Sequence, residues 1–225
     1  MPARVIPLVK GQIYHIFNRS IDRKPIFRRK HDNDRVMDTL NFYRFSDVPI
    51  RLSYFLRWSE DQKSKTLNML KKEGKVIVSI LGFCLMPNHF HLLLRQESEG
   101  GISTFLSQFQ NSFTRYFNTR YTRTGHLFEG QFEAVRIETE EQLIHVSRYI
   151  HLNLYTSYIV KTFKDLTSHP YSSFAEYLGT REGFCTKKTI LSHFKNSKDY
   201  RNFVFDRADY QRALSEIKHL TLEDS

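Results

Sequence analysis

The chain has 225 residues, enough for one sizeable domain or for a domain with a small appendage. Hydrophobic residues make up 40% and charged residues 26%, with 9 Gly and 6 Pro, which excludes disordered, collagen-like and coiled-coil chains. The 34 basic residues outnumber the 24 acidic ones, and the formal charge of +10 favours a polyanionic partner. No uncharged apolar run approaches the roughly 18 residues that cross a bilayer, and the first residues lack the apolar stretch of a secretory signal. We therefore expect no membrane contact and a cytoplasmic protein.

The two cysteines carry little functional signal. Cys84 and Cys185 lie far apart in the chain, which gives neither metal-ligand spacing nor a disulfide framework. Aromatic residues are more informative, with 19 Phe and 12 Tyr. Aromatic side chains among basic ones suit a protein that stacks bases and neutralises phosphates, although most single phenylalanines fill the core.

The first third of the chain predicts one strand and two helices. Residues 12–18 alternate and are rich in β-forming side chains, which predicts a strand, and a basic loop follows them. Apolar residues recur at helical spacing from Asp32 to about Tyr43, behind acidic residues in the first turn. Within residues 47–75 the pattern predicts a short charged helix that ends at Gly74.

The middle of the chain predicts a hairpin and a long helix. Residues 76–86 are apolar and β-rich, the MPN that follows reads as a turn, and residues 89–96 resume as a second strand. After two glycines, apolar residues repeat every three or four positions from Ile102 to Phe117, which predicts an amphipathic helix.

The last part predicts one or two strands and several helices. HLFEGQFEAVRIE alternates like strand sequence, and TEEQLIHVSRYIHLN opens with a Thr and acidic residues, as an N-capped helix does. TILSHFKNS and DYQRALSEIKHL also carry helical spacing. The order β, α, β, β, α, β, α predicts an α+β fold of the ferredoxin-like or RRM-like kind, an antiparallel sheet with helices on one face, plus a C-terminal helical extension.

Two histidines stand out in HFHLLL at 89–94. Alternation along a strand puts His89 and His91 on one face and apolar side chains on the other. Two imidazoles at this spacing can bind one divalent cation if another element supplies an oxygen ligand. Histidines with a structural role on a half-exposed sheet face are an equally available explanation for this short motif.

A second group lies in the predicted helix RYIHLN. Tyr149 and Asn153 are four residues apart and share a helix face, so Asn153 could supply the oxygen and Tyr149 a nucleophile for phosphoryl transfer. The alternative is that Tyr149 packs the helix on the sheet and Asn153 caps its C-terminus. Three further histidines are alternative ligands or acid/base groups: His126, His145 and His151.

Five segments occur in order along the chain: YHIFNR, MPNHFHLLL, GHLFEGQFEAV, RYIHLN and HPYSSFAEYL. Together they resemble the HUH single-tyrosine transposases, most closely the REP-associated tyrosine transposases, over roughly residues 11–179. The resemblance implies a catalytic domain at 1–179 with the fold predicted above, followed by the helical extension at 180–225.

The same resemblance implies an enzyme that cuts and rejoins single-stranded DNA beside a hairpin or palindromic repeat. It would use Mg²⁺ or Mn²⁺ and pass through a covalent 5′-phosphotyrosine with a free 3′-OH. By this resemblance His89 and His91 are metal ligands, Tyr149 is the nucleophile and Asn153 stands where relatives place a polar third ligand. No other cofactor is implied, and the relatives include both monomers and homodimers.

The chain departs from its relatives just after the tyrosine. Leu154 and Tyr155 stand where relatives often have a proline and a valine, which bears on the placement of Asn153. Tyr155 and Tyr158 are neighbouring tyrosines, but neither is four residues from Asn153. We therefore expect Tyr149 to be the nucleophile.

Basic residues suited to a DNA path occur early in the chain and before the GHLFEG segment. They are Arg19, Arg23, Lys24, Arg28, Arg29 and Lys30, then Arg115, Arg120 and Arg123. Two rival functions remain open from the sequence: a non-catalytic nucleic-acid-binding regulator on the same fold, and a histidine-metal hydrolase of small phosphoesters.

Overall fold

The computed structural model of the protein describes residues 7–209. Its centre is a four-stranded antiparallel sheet in the order β2-β3-β1-β4. The strands are β1 Ile13–Arg19, β2 Val78–Met86, β3 His89–Gln96 and β4 Glu133–Ile137. This order, with a helix between β1 and β2 and another between β3 and β4, is ferredoxin-like, so the predicted fold class is confirmed.

Helices surround this sheet in the part of the chain that the structure describes. The long ones are α1 Lys30–Tyr43, α3 Glu60–Lys72, α4 Gly101–Arg120, α5 Glu140–Thr156 and α9 Ser197–Phe205. The short ones are α2 Leu52–Phe55, α6 Phe163–Ser168, α7 Phe174–Tyr177 and α8 Lys188–Leu191, besides a 3-10 turn at Ile21–Arg23. Within residues 7–209 every helix is too short or too polar to span a membrane.

The pleat of the sheet separates two apolar cores. Tyr14, Ile16, Phe90 and Leu92 point to the first core, where α1 and α4 cover the sheet. On the other face, Leu93 belongs to a second core with side chains of α5 and the helices that follow it. The expectation of helices on one face holds for α1 and α4, and the structure adds α5 to the opposite face.

Strand β2 explains why both faces are covered. All nine of its residues are buried, as expected of a continuous apolar run rather than an alternating one. Alternation places Ile80 in the first core and Leu81 in the second. A register shift between Ile80 and Gly82 then changes which residues face each side, so that Phe83 returns to the first core. The sheet therefore has apolar positions on both sides, and one face alone could not bury them.

The segment between α1 and β2 forms a small unit of its own. Phe42, Phe45, Leu52, Phe55 and Leu70 pack together in a third apolar cluster, and α3 begins with a capping box between the side chains at 59 and 62. The prediction of one charged helix here is therefore half right, because α2 precedes it.

Other boundaries differ from the sequence-based expectation. Only one strand forms in HLFEGQFEAVRIE, with an isolated bridge from Phe128 to Ser20 before it. The short helices α6 to α8 contain four to six residues, too few to show a helical period. The helix expected at DYQRALSEIKHL begins at position 209 and lies almost wholly outside the described residues.

Residues after 179 share the core of the sheet. Ile190 from α8 and Tyr200 and Val204 from α9 are fully buried in the second core, together with Ile150 and Leu152 of α5. The C-terminal extension therefore supports the helix that contains Tyr149. The domain boundary at 179/180 stays a prediction.

Candidate functional site

Strand alternation places His89 and His91 on the face of the sheet that is opposite α1 and α4. Across β1 they stand opposite Arg19 and Phe17, and across β2 His91 stands opposite Cys84. Their ring centroids are 5.0 Å apart. His91 is buried and His89 is half-buried, so the pair lies at the margin of the second core, where a substrate can approach His89.

Tyr149 lies beside His91 of this pair. Helix α5 begins behind Thr139, whose side chain accepts a hydrogen bond from the backbone N–H of Gln142, and it carries Tyr149 across the sheet face. The Tyr149 ring lies edge-on to His91, with centroids 5.5 Å apart, and its side chain is 46% exposed. The structure thus brings the predicted nucleophile to the predicted metal ligands within a single chain.

A third histidine, His15, completes the group. Its Nε2 lies 3.0 Å from His91 Nδ1, the two rings stack with centroids 5.1 Å apart, and its ring meets Tyr149 edge-on at 5.9 Å. The motif YHIFNR contains His15, but no role is predicted for it from the sequence. The signal was present in the alternation of β1, which places His15 on the face of Phe17, but only the β1–β3 pairing puts that face beside His91.

Burial keeps the three imidazoles neutral. It lowers the pKa of His15 and of His89 to about 4, and Arg19 contributes to the shift of His89. Burial also lowers the pKa of His91 well below its ordinary value, with smaller contributions from His15, His89 and Arg19. Neutral imidazole is the form that binds a metal ion.

The hydrogen bonds of the two predicted ligands leave the same ring nitrogen free. His89 Nδ1 lies 2.7 Å from Asn88 Oδ1 and His91 Nδ1 bonds His15, while no described residue bonds either Nε2. A partner on one ring nitrogen is how proteins orient a histidine whose other nitrogen binds a metal. The donors present fit a divalent cation on the two Nε2 atoms.

Asn153 follows Tyr149 by one helical turn and is buried. Its Oδ1 accepts a hydrogen bond from Ser157 Oγ at 3.3 Å, and its Nδ2 makes no hydrogen bond of standard length with a described residue. Because α5 continues to Thr156, Asn153 is not the helix C-cap. Within residues 7–209, no group of three or more His, Cys, Asp or Glu side chains is arranged to hold a metal ion. An ion bound by His89 and His91 would need an amide, water or substrate oxygen as a further ligand.

Two further groups on this face stay protonated. Burial raises the pKa of the Tyr149 phenol, and the Asn153 amide opposes that shift. Burial raises the pKa of the Cys84 thiol to about 12, so the free thiol is uncharged.

Comparison with known proteins bears on the class of this site. The model of the family described as IS200-like transposases matches residues 51–153, a range that contains both predicted metal ligands, Tyr149 and Asn153. Residues 51–153 are therefore similar to the IS200-like transposases. The resemblance to the single-tyrosine transposases is confirmed. No curated protein matches the chain.

The solved structures give the same fold. The chain is similar to a REP-associated tyrosine transposase solved in complex with a REP hairpin, with a TM-score of 0.56 and 14% identity. The match covers 80% of this chain and 86% of that one. His15 lies outside the 51–153 match of the family model and inside β1 of the shared fold.

The predicted basic residues lie in two places. Arg19 is exposed at the end of β1 beside His89, and the loop after it carries the other early residues. In that loop Lys24 pairs with Asp22 at 3.0 Å, Lys30 pairs with Asp34, Arg29 stacks on Tyr121, and Arg23 and Arg28 are exposed. Arg115 and Arg120 are exposed on α4, and Arg123 bonds Asn118 and the His126 carbonyl.

The remaining histidines lie away from the site. His126 is exposed in the loop before β4. His145 bonds Arg148 at 2.7 Å and contacts Phe203 of α9, so it faces the C-terminal extension. His151 is fully buried between Tyr200 and Ser173, with 2.7 Å hydrogen bonds on both ring nitrogens. His145 and His151 therefore have structural contacts, and none of the three histidines contacts the described residues of the site.

Proposed function

We propose that the protein is a metal-dependent transposase that cleaves and rejoins single-stranded DNA through a covalent bond to Tyr149. The observation that carries the proposal is the placement of the half-exposed Tyr149 phenol 5.5 Å, centroid to centroid, from the ring of His91. Support also comes from the similarity of residues 51–153, which contain both residues, to the IS200-like transposases.

The Tyr149 oxygen is the proposed nucleophile. It attacks the scissile phosphorus, the bond from phosphorus to the 3′-oxygen breaks, the phenol gives up its proton and the leaving oxygen becomes a 3′-OH. Attack by a 3′-OH on the phosphotyrosine reverses the sequence, restores the phenol and joins the strands. The bond energy is conserved in the intermediate, so no nucleotide cofactor is required.

The histidine pair is proposed to hold the metal ion. Nε2 of His89 and of His91 would bind Mg²⁺ or Mn²⁺, and the Asn153 amide would provide a third ligand. When bound, such an ion neutralises charge on the scissile phosphate and orients it. Asn88 and His15 would keep the two imidazoles in the required orientation through their bonds to Nδ1.

The proposed substrate is single-stranded DNA with a hairpin or palindromic repeat. The hairpin in the complex of the similar transposase supports this choice, and so does the basic loop from Arg19 to Lys30, which begins beside His89. The site needs residues of one chain only, which is compatible with a monomer and with a homodimer. The cytoplasmic location stays a prediction.

The test is a covalent-adduct assay. The full chain is incubated with labelled hairpin-bearing single-stranded DNA from the flanks of its own gene, in Mg²⁺, Mn²⁺ or chelator, and resolved on denaturing gels. We expect a metal-dependent adduct that disappears in Tyr149→Phe while DNA binding is retained. Cleavage that survives Tyr149→Phe would refute the assignment, and binding of every substrate in chelator without any adduct would support the non-catalytic regulator instead.

A further inference from the structure

A large cavity lies away from the histidines, on the opposite side of the sheet. It is a groove of about 1260 Å³ between α1, the 45–53 segment and the outer side of α4. We call it the α1–α4 groove. The proposed cleavage chemistry makes no use of it, so its lining requires a separate explanation.

Four arginines line the α1–α4 groove. Arg35 comes from α1, Arg51 from the inserted segment, and Arg115 and Arg120 from successive turns of α4. Arg115 and Arg120 are among the basic residues predicted to lie on a DNA path, and Arg35 and Arg51 are not. Only the packing of the insert against the helix pair brings all four to one groove.

The charge of these arginines is largely uncompensated. Arg51 and Arg115 are exposed and form no ion pair with a described residue. Arg35 lies over the ring of Tyr116, 5.4 Å from its centroid, and partial burial lowers its pKa without discharging it. The acidic side chains of the lining are those at 47 and 99, and Asp47 is already paired with a lysine at 3.1 Å.

A buried carboxylate fixes the α4 wall of the groove. Asp32 accepts hydrogen bonds from the hydroxyls of Tyr116 at 2.9 Å and Tyr121 at 2.7 Å. Beside it, Arg120 Nε donates to His31 Nε2 at 2.8 Å. The groove is therefore preorganised, since two of its side chains are held by bonds between α1 and α4.

The basic loop that leads to the histidines contacts the end of α4, next to Arg120 of the α1–α4 groove. Arg29 stacks on Tyr121 at the end of α4, 5.5 Å from the ring centroid. At the other end of that loop, Asn88 Nδ2 donates to the carbonyl of Arg23 at 3.0 Å, and Asn88 Oδ1 bonds His89. Positive charge thus runs from the groove around the end of the sheet to the candidate active site.

We infer that the α1–α4 groove binds the phosphodiester backbone of the same DNA whose scissile phosphate lies at Tyr149. This inference rests on the proposed function. Arginine forks that lack carboxylate partners suit phosphate oxygens, and a groove lined by a preorganised arginine and tyrosine wall can follow a nucleic-acid strand without reading its sequence. The groove extends the DNA contact well beyond the cleavage site.

The test measures the salt dependence of DNA binding by fluorescence anisotropy. A fluorescein-labelled hairpin with single-stranded flanks is titrated with the full chain carrying Tyr149→Phe, alone or combined with Arg51→Ala and Arg115→Ala. The matched control is Arg57→Ala, an exposed arginine just outside the groove. Each lost phosphate contact lowers the slope of log affinity against log salt by about 0.7 to 0.9.

We expect weaker binding and a smaller slope in the groove variant and neither change in the control. Equal slopes in all variants would overturn the inference. Binding of poly-glutamate is measured for the same variants. If the groove variant loses poly-glutamate binding while its DNA binding is unchanged, the inference is also overturned, and an acidic protein partner is indicated. If the groove variant loses thermal stability, the chain without groove substitutions is photo-crosslinked to DNA that contains 5-bromodeoxyuridine. Crosslinks at residues 45–53 or 104–120 support the inference, and their absence refutes it.

The adduct assay keeps this inference separate from the proposed function. A slope loss in a protein that forms no adduct would retain the groove and refute the nucleophile. An adduct formed by a protein whose groove variant binds with an unchanged slope would retain the nucleophile and refute the groove.

Discussion

At the level of single residues, the hydrogen bond between His15 and His91 is the least expected part of the candidate site. If His91 Nδ1–H donates to His15 Nε2, the lone pair of His91 Nε2 is available to a cation. His15 is then a positioning residue: it contacts His91 and Tyr149, and it is not itself a proposed ligand.

Replacing His15 separates this role from simple packing. Partners of metal-ligating histidines typically change metal affinity or activity by about 10- to 100-fold, so we expect a loss of that size in adduct formation for His15→Leu. His15→Gln keeps an acceptor near His91 Nδ1 and should recover part of it. Nitrogen-15 NMR of the imidazoles should show His91 as the Nδ1–H tautomer in the unchanged chain and not in His15→Leu. An unchanged tautomer and adduct rate in His15→Leu would exclude the positioning role.

The residues of the site differ in how far local sequence determines them. Alternation along one strand is a local property, and it correctly predicted that His89 and His91 share a face. The four-residue spacing of Tyr149 and Asn153 is equally local. His15 reaches His91 only through the register of two strands that are distant in sequence, and no local pattern specifies that register.

At the level of elements, α5 is held in place by a buried polar network. His151 on α5 bonds Tyr200 of α9 and Ser173 at the start of α7, and Tyr200 also donates to Ser147 at 3.1 Å. Ser173 in turn bonds the backbone of β2 at Phe83. These contacts join the C-terminal extension, α5 and the sheet. They therefore fix the position of the helix that carries Tyr149.

The variant Tyr200→Phe tests the energetic weight of this network. Removing the hydroxyl leaves the buried Nδ1 of His151 without a partner and removes one hydrogen bond of Ser147, which still donates to the Ile144 carbonyl. We expect this to lower the free energy of unfolding by about 1–3 kcal/mol. The matched control Tyr54→Phe changes an exposed hydroxyl with no hydrogen bond among the described residues and should stay within about 0.5 kcal/mol. Urea unfolding of the full chain measures both, and equal effects would show that the network contributes nothing.

Long elements were predictable and their packing was not. The spacing of apolar residues in α4 and the N-cap of α5 are local features of the sequence, and both helices form where expected. Helix α5 can lie opposite α1 and α4 because β2 is apolar on both sides. In the sequence, a short apolar run does not show whether one face of the sheet is covered or both.

At the level of the whole molecule, one chain supplies every residue of the candidate site. Tyr149 contacts His91 of its own chain, and the C-terminal extension packs on α5. The α1–α4 groove is likewise a property of the whole chain, because α1, the insert and α4 come from separate stretches of sequence. Neither arrangement could be derived from any one segment.

A mixing experiment tests whether the site acts within one chain. His91→Ala and Tyr149→Phe should each prevent adduct formation, and a mixture of the two variants should remain inactive because no chain has both residues. A mixture of unchanged chain with Tyr149→Phe is the control and should form adduct. Recovery of adduct in the mixture of variants would show that α5 is exchanged between chains.

The most direct test of the central claim is to identify the amino acid that carries the DNA. The covalent adduct formed with Mg²⁺ or Mn²⁺ is isolated, digested with nuclease and protease, and sequenced by tandem mass spectrometry. The structure predicts a 5′-phosphonucleotide on Tyr149, whose ring lies edge-on beside that of His91. A nucleotide on Tyr155, on Tyr158 or on any other residue would contradict the account.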